Sequence, residues 1–562
     1  MLRWLGIRKK SKRTSEIHPD EILIDSKNIA GLNRDQFEGR IEQPLSQRSF
    51  WMAGGLLVLL FVGYIARAGT LQIVNGAAYA ERAKNNQLTE QTIFADRGII
   101  EDRTGVPLAY NERASVGDDF AQRTYTTLQG LSHVVGYVKA PAKDSSGTYY
   151  RDEFDGMDGA EKAFNAQLGG QNGTKLSETD AKGAVVSESV VQPPEAGATL
   201  RLSIDANVTS GLYQVLADRA TEAHAVGAAG VIMDVRTGEL LAMTSYPEYS
   251  SQALEEGNKE AINSYNTNSS RPFLNRVTDG LYAPGSIIKP IMAAAGLQEG
   301  VITPNTLITS TGQLTLPNPY DSAHPSIFKD WRVNGTMTVR DAIAVSSDVF
   351  FYEVGGGFGS QSGIGVSKID QYFKLFGYGS EAGLPGFEGP AGTIPTPEWK
   401  TKAFPDDPTW RIGDTYHTAI GQYGMQVTPL QAVREAAALA NSGTLLTPSL
   451  IASTTPQGTK LPIRADVLEV VREGMRQGVT KGIATAINFP FVQPAAKTGT
   501  AQIGIHNENQ NAWMIGFWPY DNPKYAFAVV LDRLPAGTLV GGASVMYDFF
   551  NWMHENAPQY LQ

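Results

Sequence analysis

Seventeen consecutive residues without a charge, Phe50 to Ala66, stand out from everything else in the chain. A helix over this run spans about 25 Å at 1.5 Å per residue, enough to cross a bilayer if Arg67 snorkels at its end. Trp51 and Tyr64 lie near the two ends, where an aromatic belt places them. The pattern predicts a transmembrane signal anchor over 50–68. Downstream, Thr70 to about Pro194 breaks into short strand-like runs separated by Gly, Asp, Asn and Ser clusters, among them Ala95–Ile100 and Ser132–Val138. That reads as an irregular β-rich module over 69–198. Gln192-Pro193-Pro194-Glu195-Ala196-Gly197 marks its boundary.

From Thr199 the periodicities strengthen. Leu200–Asp205 reads as a strand and Val208–Ala223 as a helix. Gly230–Asp234 and Glu239–Thr244 flank the turn Val235-Arg236-Thr237-Gly238 and predict a hairpin. Helical spacing recurs at Ile287–Leu297, Val339–Val354, Val366–Phe376, Pro429–Asn441 and Ile463–Val479. Two strand-like runs, Ala512–Trp518 and Ala526–Leu531, precede a last helix near Ala543–His554. Strands at both ends with helices between predict an α/β domain over 199–562 whose sheet is completed by distant segments.

Charge sharpens this division. The whole chain of 562 residues carries a net charge of −10, which argues against a general nucleic-acid binder. The first 49 residues nonetheless carry ten Lys/Arg against seven Asp/Glu, and six of the basic residues fall between Arg3 and Arg13. A basic segment before an apolar helix predicts a cytoplasmic tail over 1–49, with the bulk of the chain outside. Ala66-Arg67-Ala68 resembles a small-x-small cleavage site, but the long N-terminal region favours an uncleaved anchor. Cysteine is absent, which excludes disulfides, thiolate metal sites and a cysteine nucleophile. The seven histidines are scattered; His417 and His506 lack ligand-spaced partners and read as solvent-facing, so neither a metal nor a cofactor is expected.

Three motifs carry candidate chemistry. In Tyr282-Ala283-Pro284-Gly285-Ser286-Ile287-Ile288-Lys289, Pro-Gly ends one segment and Ser286 stands where a helix begins. The spacing puts Lys289 on the same face one turn on. A serine needs a base to act as a nucleophile, and a lysine partly desolvated near a positive helix end has a lowered pKa that lets it serve. Ser346-Ser347-Asp348 places polar groups inside the apolar helical stretch Ile343–Phe351, where they are costly unless they line a site. Lys497-Thr498-Gly499-Thr500 reads as part of an edge strand offering a cation, two hydroxyls and a glycine that admits close backbone approach. Each motif alone has an ordinary reading: an N-cap serine with a surface lysine, a helix cap, a surface strand.

Together and in this order, S-x-x-K, S-x-D and K-T-G resemble the signature of penicillin-binding proteins and class A β-lactamases. With the anchor and a pedestal, the chain resembles the class B penicillin-binding proteins, membrane-anchored peptidoglycan D,D-transpeptidases. Arg97–Gly105 is similar to their R-G-x-I-x-D-R-x-G pedestal motif, and Gly159–Phe164 to the pedestal's G-x-E stretch. Asp234–Pro247 resembles the strand pair that opens their catalytic domain, and Gly413–Gln431 another family stretch. The resemblance implies a penicillin-binding, serine β-lactamase-like α/β (α+β) domain behind a β-rich pedestal of the dimerisation type. It implies Ser286 as the acylated nucleophile, Lys289 as its base, and Ser346 as a relay between Lys289 and Lys497. Lys497, Thr498 and Thr500 would hold the substrate's carboxylate beside Gly499, and the N–H groups of Ser286 and Thr500 would form the oxyanion hole.

Asp348 stands where many relatives have Asn, and with Phe328-Lys329-Asp330-Trp331 it resembles the elongation-type, penicillin-binding protein 2-like branch. Ile420-Gly421-Gln422-Tyr423-Gly424 departs from the usual I-G-Q-G. The implied partners are peptidoglycan stem peptides ending in D-Ala-D-Ala, β-lactams, the bacterial inner membrane and a SEDS-family (RodA-like) glycosyltransferase. The region of about 130 residues before the catalytic domain is too short for a glycosyltransferase domain of its own. A D,D-carboxypeptidase, a division-type transpeptidase, a β-lactamase or β-lactam sensor, and a non-catalytic activator of the glycosyltransferase stand as alternatives.

Overall fold

A computed structural model describes residues 46–85, 88–113, 115, 118–179, 185–318, 321 and 323–562, in two compact units parted between Leu88 and Thr89. The tail expected over residues 1–49 lies outside the described residues up to Leu45. In the first unit a helix runs Gln47–Gly69, opened by Ser46, whose side chain accepts from the Ser49 N–H, and continued by a π-type turn over Thr70–Val74. Together, Gln47–Val74 is long and apolar enough to cross a membrane, and its side chains are unburied. A second helix follows at Gly76–Asn85. The strand-like reading from Thr70 onward is therefore wrong at its start. Thr70, Ile73 and Val74 favour strands, but they extend a helix already nucleated, and adding a turn there costs far less than starting one.

The second unit begins with the β-rich module. Ile100–Glu101, Pro107–Glu112 and Gln122–Tyr125 pair in a sheet that the later strand Leu200–Arg201 closes in parallel beside Ile100–Glu101. Its centre is ionic. Glu161 accepts from Arg97 Nε at 2.6 Å and from Arg123 Nε at 2.7 Å, with all three side chains fully buried. Burying such a triad is costly unless its other donors are answered: Arg97 also donates to the Glu161 carbonyl and to Asn165, and Arg123 Nη1 to Asn111, while Arg123 Nη2 is left without a partner among the described residues. Asp102 accepts from the Thr104 and Val106 amides and, with its other oxygen, from the Ala206 N–H. Ser132–Val138 is not one strand: Ser132–Val135 forms a helical turn and only Val138–Lys139 is extended. The Glu248 carboxylate draws in the Gly130 and Ser132 amides and fixes that turn. Gln192–Gly197 is largely exposed but tethered by its backbone, since Glu195 bridges Gln171 and the Gly197 N–H donates to the Asp96 carbonyl.

Five strands form the main sheet: β1 (Gly227–Asp234), β2 (Leu240–Tyr246), β3 (Ala495–Ile503), β4 (Asn509–Trp518) and β5 (Tyr525–Pro535). Their order is β2-β1-β5-β4-β3, antiparallel throughout, so chain ends 250 residues apart in sequence share one sheet with β3 at its edge. The side chains alternate between two cores. Phe527, Val529 and Leu531 pack with α1 (Ala206–Glu222) and the C-terminal helix Gly542–Asn556. Ala526, Ala528 and Val530 face the opposite way, toward α2 (Lys289–Gln298), the helix Pro429–Ala440 and the rest of the larger core. The sheet is thus a helix-covered sandwich layer, buried on both sides.

Candidate active site

The first motif forms a single 3-10 turn, Gly285–Ile288, that runs into α2. Ile287 and Ile288 are fully buried and anchor the turn in the core, leaving Ser286 half-buried at its crest. The Gly285 N–H donates to the Gly421 carbonyl, and Trp513 Nε1 donates to the Ala283 carbonyl at 3.0 Å. Strand β3 lies directly on the turn. A side chain at position 499 would bring a Cβ within 2.8 Å of the Pro284 oxygen and of Ile287. Position 499 therefore faces the turn and its glycine serves as clearance there, while Thr498 and Thr500 line the cleft.

The second motif corrects the helix expected over Val339–Val354. Two helices replace it: α3 (Val339–Val345) and α4 (Asp348–Gly356). Ser346 between them is left-handed at φ 60°, and the Ser347 side chain caps α4 by accepting from the Phe350 N–H. The break turns Ser346 and Asp348 toward the first motif. Lys289 Nζ donates to the Ser346 carbonyl at 2.7 Å, to Ser346 Oγ at 3.3 Å and to Asp348 Oδ1 at 2.7 Å. Its bonds thus lead to this elbow and not to the Ser286 hydroxyl.

The third motif completes the cluster. Lys497 Nζ donates to Ser346 Oγ at 2.8 Å and to the Thr498 carbonyl at 2.7 Å, so one hydroxyl bridges two lysines. Burial holds the Lys497 ammonium well below its usual range; repulsion from Lys289 adds to this and Asp348 partly offsets it. Ser286, Ser346, Asp348, Thr498 and Thr500 line one cleft of about 570 Å³. Sequence reasoning missed Ile483, Gln510 and Gly537 and quoted Trp331 only within a resemblance; these four complete the walls from separate segments. It quoted Asp330 only as part of a resemblance, yet that carboxylate holds the elbow. Burial pushes the Asp330 carboxyl up, and hydrogen bonds from Ser347, the Asp348 amide and Ser310 overcome this and leave it below the usual range.

His417 is not solvent-facing. It is half-buried, its ring 5.4 Å from that of Phe328 and stacked on Tyr423, and burial lowers its pKa. His506 is exposed, as expected. Tyr423 itself is left-handed at φ 64° and joins a cluster with Trp399, Phe404 and Trp410.

Residues 228–549 match the family described as the penicillin binding protein transpeptidase domain, which is more than half of the chain. The chain belongs to this family. Residues 118–202 match the penicillin-binding protein dimerisation domain as well. Among relatives, the peptidoglycan D,D-transpeptidase MrdA of Salmonella typhimurium is 31% identical over 602 residues, covering 88% of this chain and 93% of that one. Among solved structures, Pseudomonas aeruginosa PBP2 in complex with WCK 5153 superposes with a TM-score of 0.66 at 29% identity, over 83% of this chain and 97% of that one. A chain from a peptidoglycan synthase complex, described as coordinating polymerization and crosslinking, gives a TM-score of 0.69 at 25% identity, over 90% and 97%. The penicillin-binding fold accounts for the long antiparallel sheet and for the β-rich module before it.

Proposed function

We propose that this protein is a peptidoglycan D,D-transpeptidase of the elongation type, working through a Ser286 acyl-enzyme. The observation that carries the reading is the Ser346 hydroxyl held between Lys289 and Lys497, in one cleft with Ser286 and the Thr498 and Thr500 side chains. Ser286 Oγ attacks the carbonyl of the D-Ala-D-Ala amide, and its proton passes to the Lys289 amine. The Ser346 hydroxyl connects that amine to Lys497, where burial lowers the pKa and so favours the neutral form that can accept a proton. The amide C–N bond breaks, D-Ala leaves as an amine with a proton returned along the same chain, and an ester on Ser286 remains. An amine from a neighbouring stem then attacks the ester and regenerates the hydroxyl. The Ser286 and Thr500 amides stabilise each tetrahedral oxyanion, and Lys497, Thr498 and Thr500 hold the terminal carboxylate. A β-lactam acylates the same serine.

The domain plan that supports this is a tail over 1–49, an anchor over 50–68, a pedestal over 69–198 and a catalytic domain over 199–562. The anchor fixes the protein in the inner membrane with the catalytic domain outside, where its substrate lies. Polymerisation of the glycan is left to a SEDS-family glycosyltransferase that engages the anchor and pedestal, a reading the synthase-complex relative supports. The test is mass spectrometry of muropeptides after the full-length protein acts on nascent, uncross-linked glycan. Cross-linked dimers with released D-Ala are expected, and none from Ser286→Ala. Trimmed monomers alone would indicate a carboxypeptidase, and unchanged pentapeptides a non-catalytic activator.

A further inference from the structure

An aspartate at the start of a helix ordinarily turns its carboxylate back onto the free amides of the first turn. Asp348 opens α4 and does not. Its carboxylate reaches Lys289 at 2.7 Å instead, across a side-chain pair in which the lysine is fully buried. What holds the start of α4 lies 18 residues upstream. Asp330, 8% exposed, answers the first two amides of α4: its Oδ1 accepts from the Asp348 N–H at 3.1 Å, and its Oδ2 from the Val349 N–H at 3.4 Å. The same carboxylate accepts from Ser347 Oγ at 2.6 Å, Ser310 Oγ at 2.7 Å and the Trp331 N–H at 2.9 Å. Ser347, so held, caps Phe350, and Trp331 Nε1 ties off the Val345 carbonyl at the end of α3. Both sides of the break at Ser346 are therefore gripped by one dipeptide, Asp330-Trp331.

We propose that Asp330 is a positioning residue for acylation: by holding the N-terminus of α4 it places Asp348 against Lys289 and sets Ser346 between the two lysines. It touches neither substrate nor the reacting atoms. The proposal rests on the acyl-enzyme reading of the site and assigns to it a residue outside the three motifs. The charged groups facing Lys497 are Lys289 from α2 and Asp348 from α4, so a loosened elbow alters the protonation of Lys497 as well as the geometry of the cluster.

The experiment compares full-length wild type, Asp330→Ala and Asp330→Asn for the rate of covalent labelling by a fluorescent penicillin, across about pH 6 to about pH 9 and over a range of penicillin concentrations. Displacement of a reacting group by the order of 1 Å slows reaction about 100-fold, and Asp330→Ala is expected to lose that much in the limiting rate while half-saturation moves less than about threefold. The acid limb moves to lower pH, because Asp348, which raises the Lys497 pKa against burial, is drawn away from that ammonium. Asp330→Asn keeps an oxygen for the Asp348 and Trp331 amides and recovers about tenfold of the loss. If Asp330→Ala does not fold, slower labelling with a displaced pH limb in Asp330→Asn supports the proposal and wild-type behaviour of that variant overturns it. Unchanged rates and pH profile in the alanine variant, or a uniform loss at every pH that Asn does not recover, also overturn it. A wild-type protein that never labels removes the acyl-enzyme reading and this proposal together; normal wild-type labelling matched by Asp330→Ala removes this proposal alone.

Discussion

Gly421 meets the turn that carries Ser286 more closely than any side chain could. It sits at φ 76°, and a Cβ there would lie 2.2 Å from the Gly285 oxygen, 2.8 Å from its carbonyl carbon and 2.9 Å from its nitrogen. Non-bonded carbon and oxygen tolerate an approach of about 3 Å at the closest, so Gly421→Ala forces a separation of about 0.8 Å between the two loops. The residue displaced is the one immediately before Ser286, the proposed nucleophile, and its N–H bond to the Gly421 carbonyl is strained with it. An L-residue in the left-handed region adds about 1 kcal/mol of conformational cost. A shift of this size at the reacting group corresponds to about 100-fold in rate, or about 2.7 kcal/mol in the barrier. Rapid-mixing measurement of penicillin acylation, with thermal melting as a check on folding, reads the effect. Gly359→Ala is the control, because it shares the positive φ at 58° but has open space around it, and it is expected to acylate within about threefold of wild type. Gly421→Ala acylating within the same threefold would refute the claim that this contact seats Ser286.

Three further outcomes are expected. Lys497→Arg keeps the cation but not the neutral form, and acylation falls by at least about 100-fold; retention within tenfold would show that no proton passes to position 497. Glu161→Ala strands the buried guanidinium groups of Arg97 and Arg123, and urea denaturation should show a loss of about 3–5 kcal/mol, against a loss under 1 kcal/mol if the triad is dispensable. His133, fully buried beside Tyr249, has its pKa pushed down to about 3 by burial, with repulsion from Arg276 adding to it. The unfolded chain therefore binds a proton below about pH 6.5 that the folded one refuses until about pH 3, and stability falls as pH drops through that window, by about 2 kcal/mol at pH 5. His133→Phe should flatten this dependence; an unchanged slope would mean the histidine is protonated in place.

The strands that build the catalytic sheet were readable because both their faces are buried, so Gly230–Asp234, Ala512–Trp518 and Ala526–Leu531 are continuous apolar runs bounded by polar turns. The three motifs were readable as types of chemistry, and their order in the chain matched a known signature. What escaped was set by contacts between distant segments. The apolar spacing of Ile343–Phe351 runs straight through the break at Ser346, and the contacts that hold that break, from Asp330 and Trp331, come from a distant segment just after the strand Ser326–Lys329. His417 looked free because no ligand-spaced partner accompanies it in the sequence, whereas the ring of Phe328 from a distant segment and that of Tyr423 beyond the end of its own helix cover it. The Tyr423 departure likewise has a local physical outcome, an aromatic cluster around a left-handed residue, that its sequence did not disclose.

The central claim is that Ser286 becomes covalently acylated, and intact-protein and peptide mass spectrometry after incubation with benzylpenicillin tests it most directly. The account predicts one stoichiometric penicilloyl adduct on the full-length protein, mapped to the peptide containing Ser286 and absent from Ser286→Ala. No adduct on the wild-type protein, or an adduct that persists in Ser286→Ala, would contradict it.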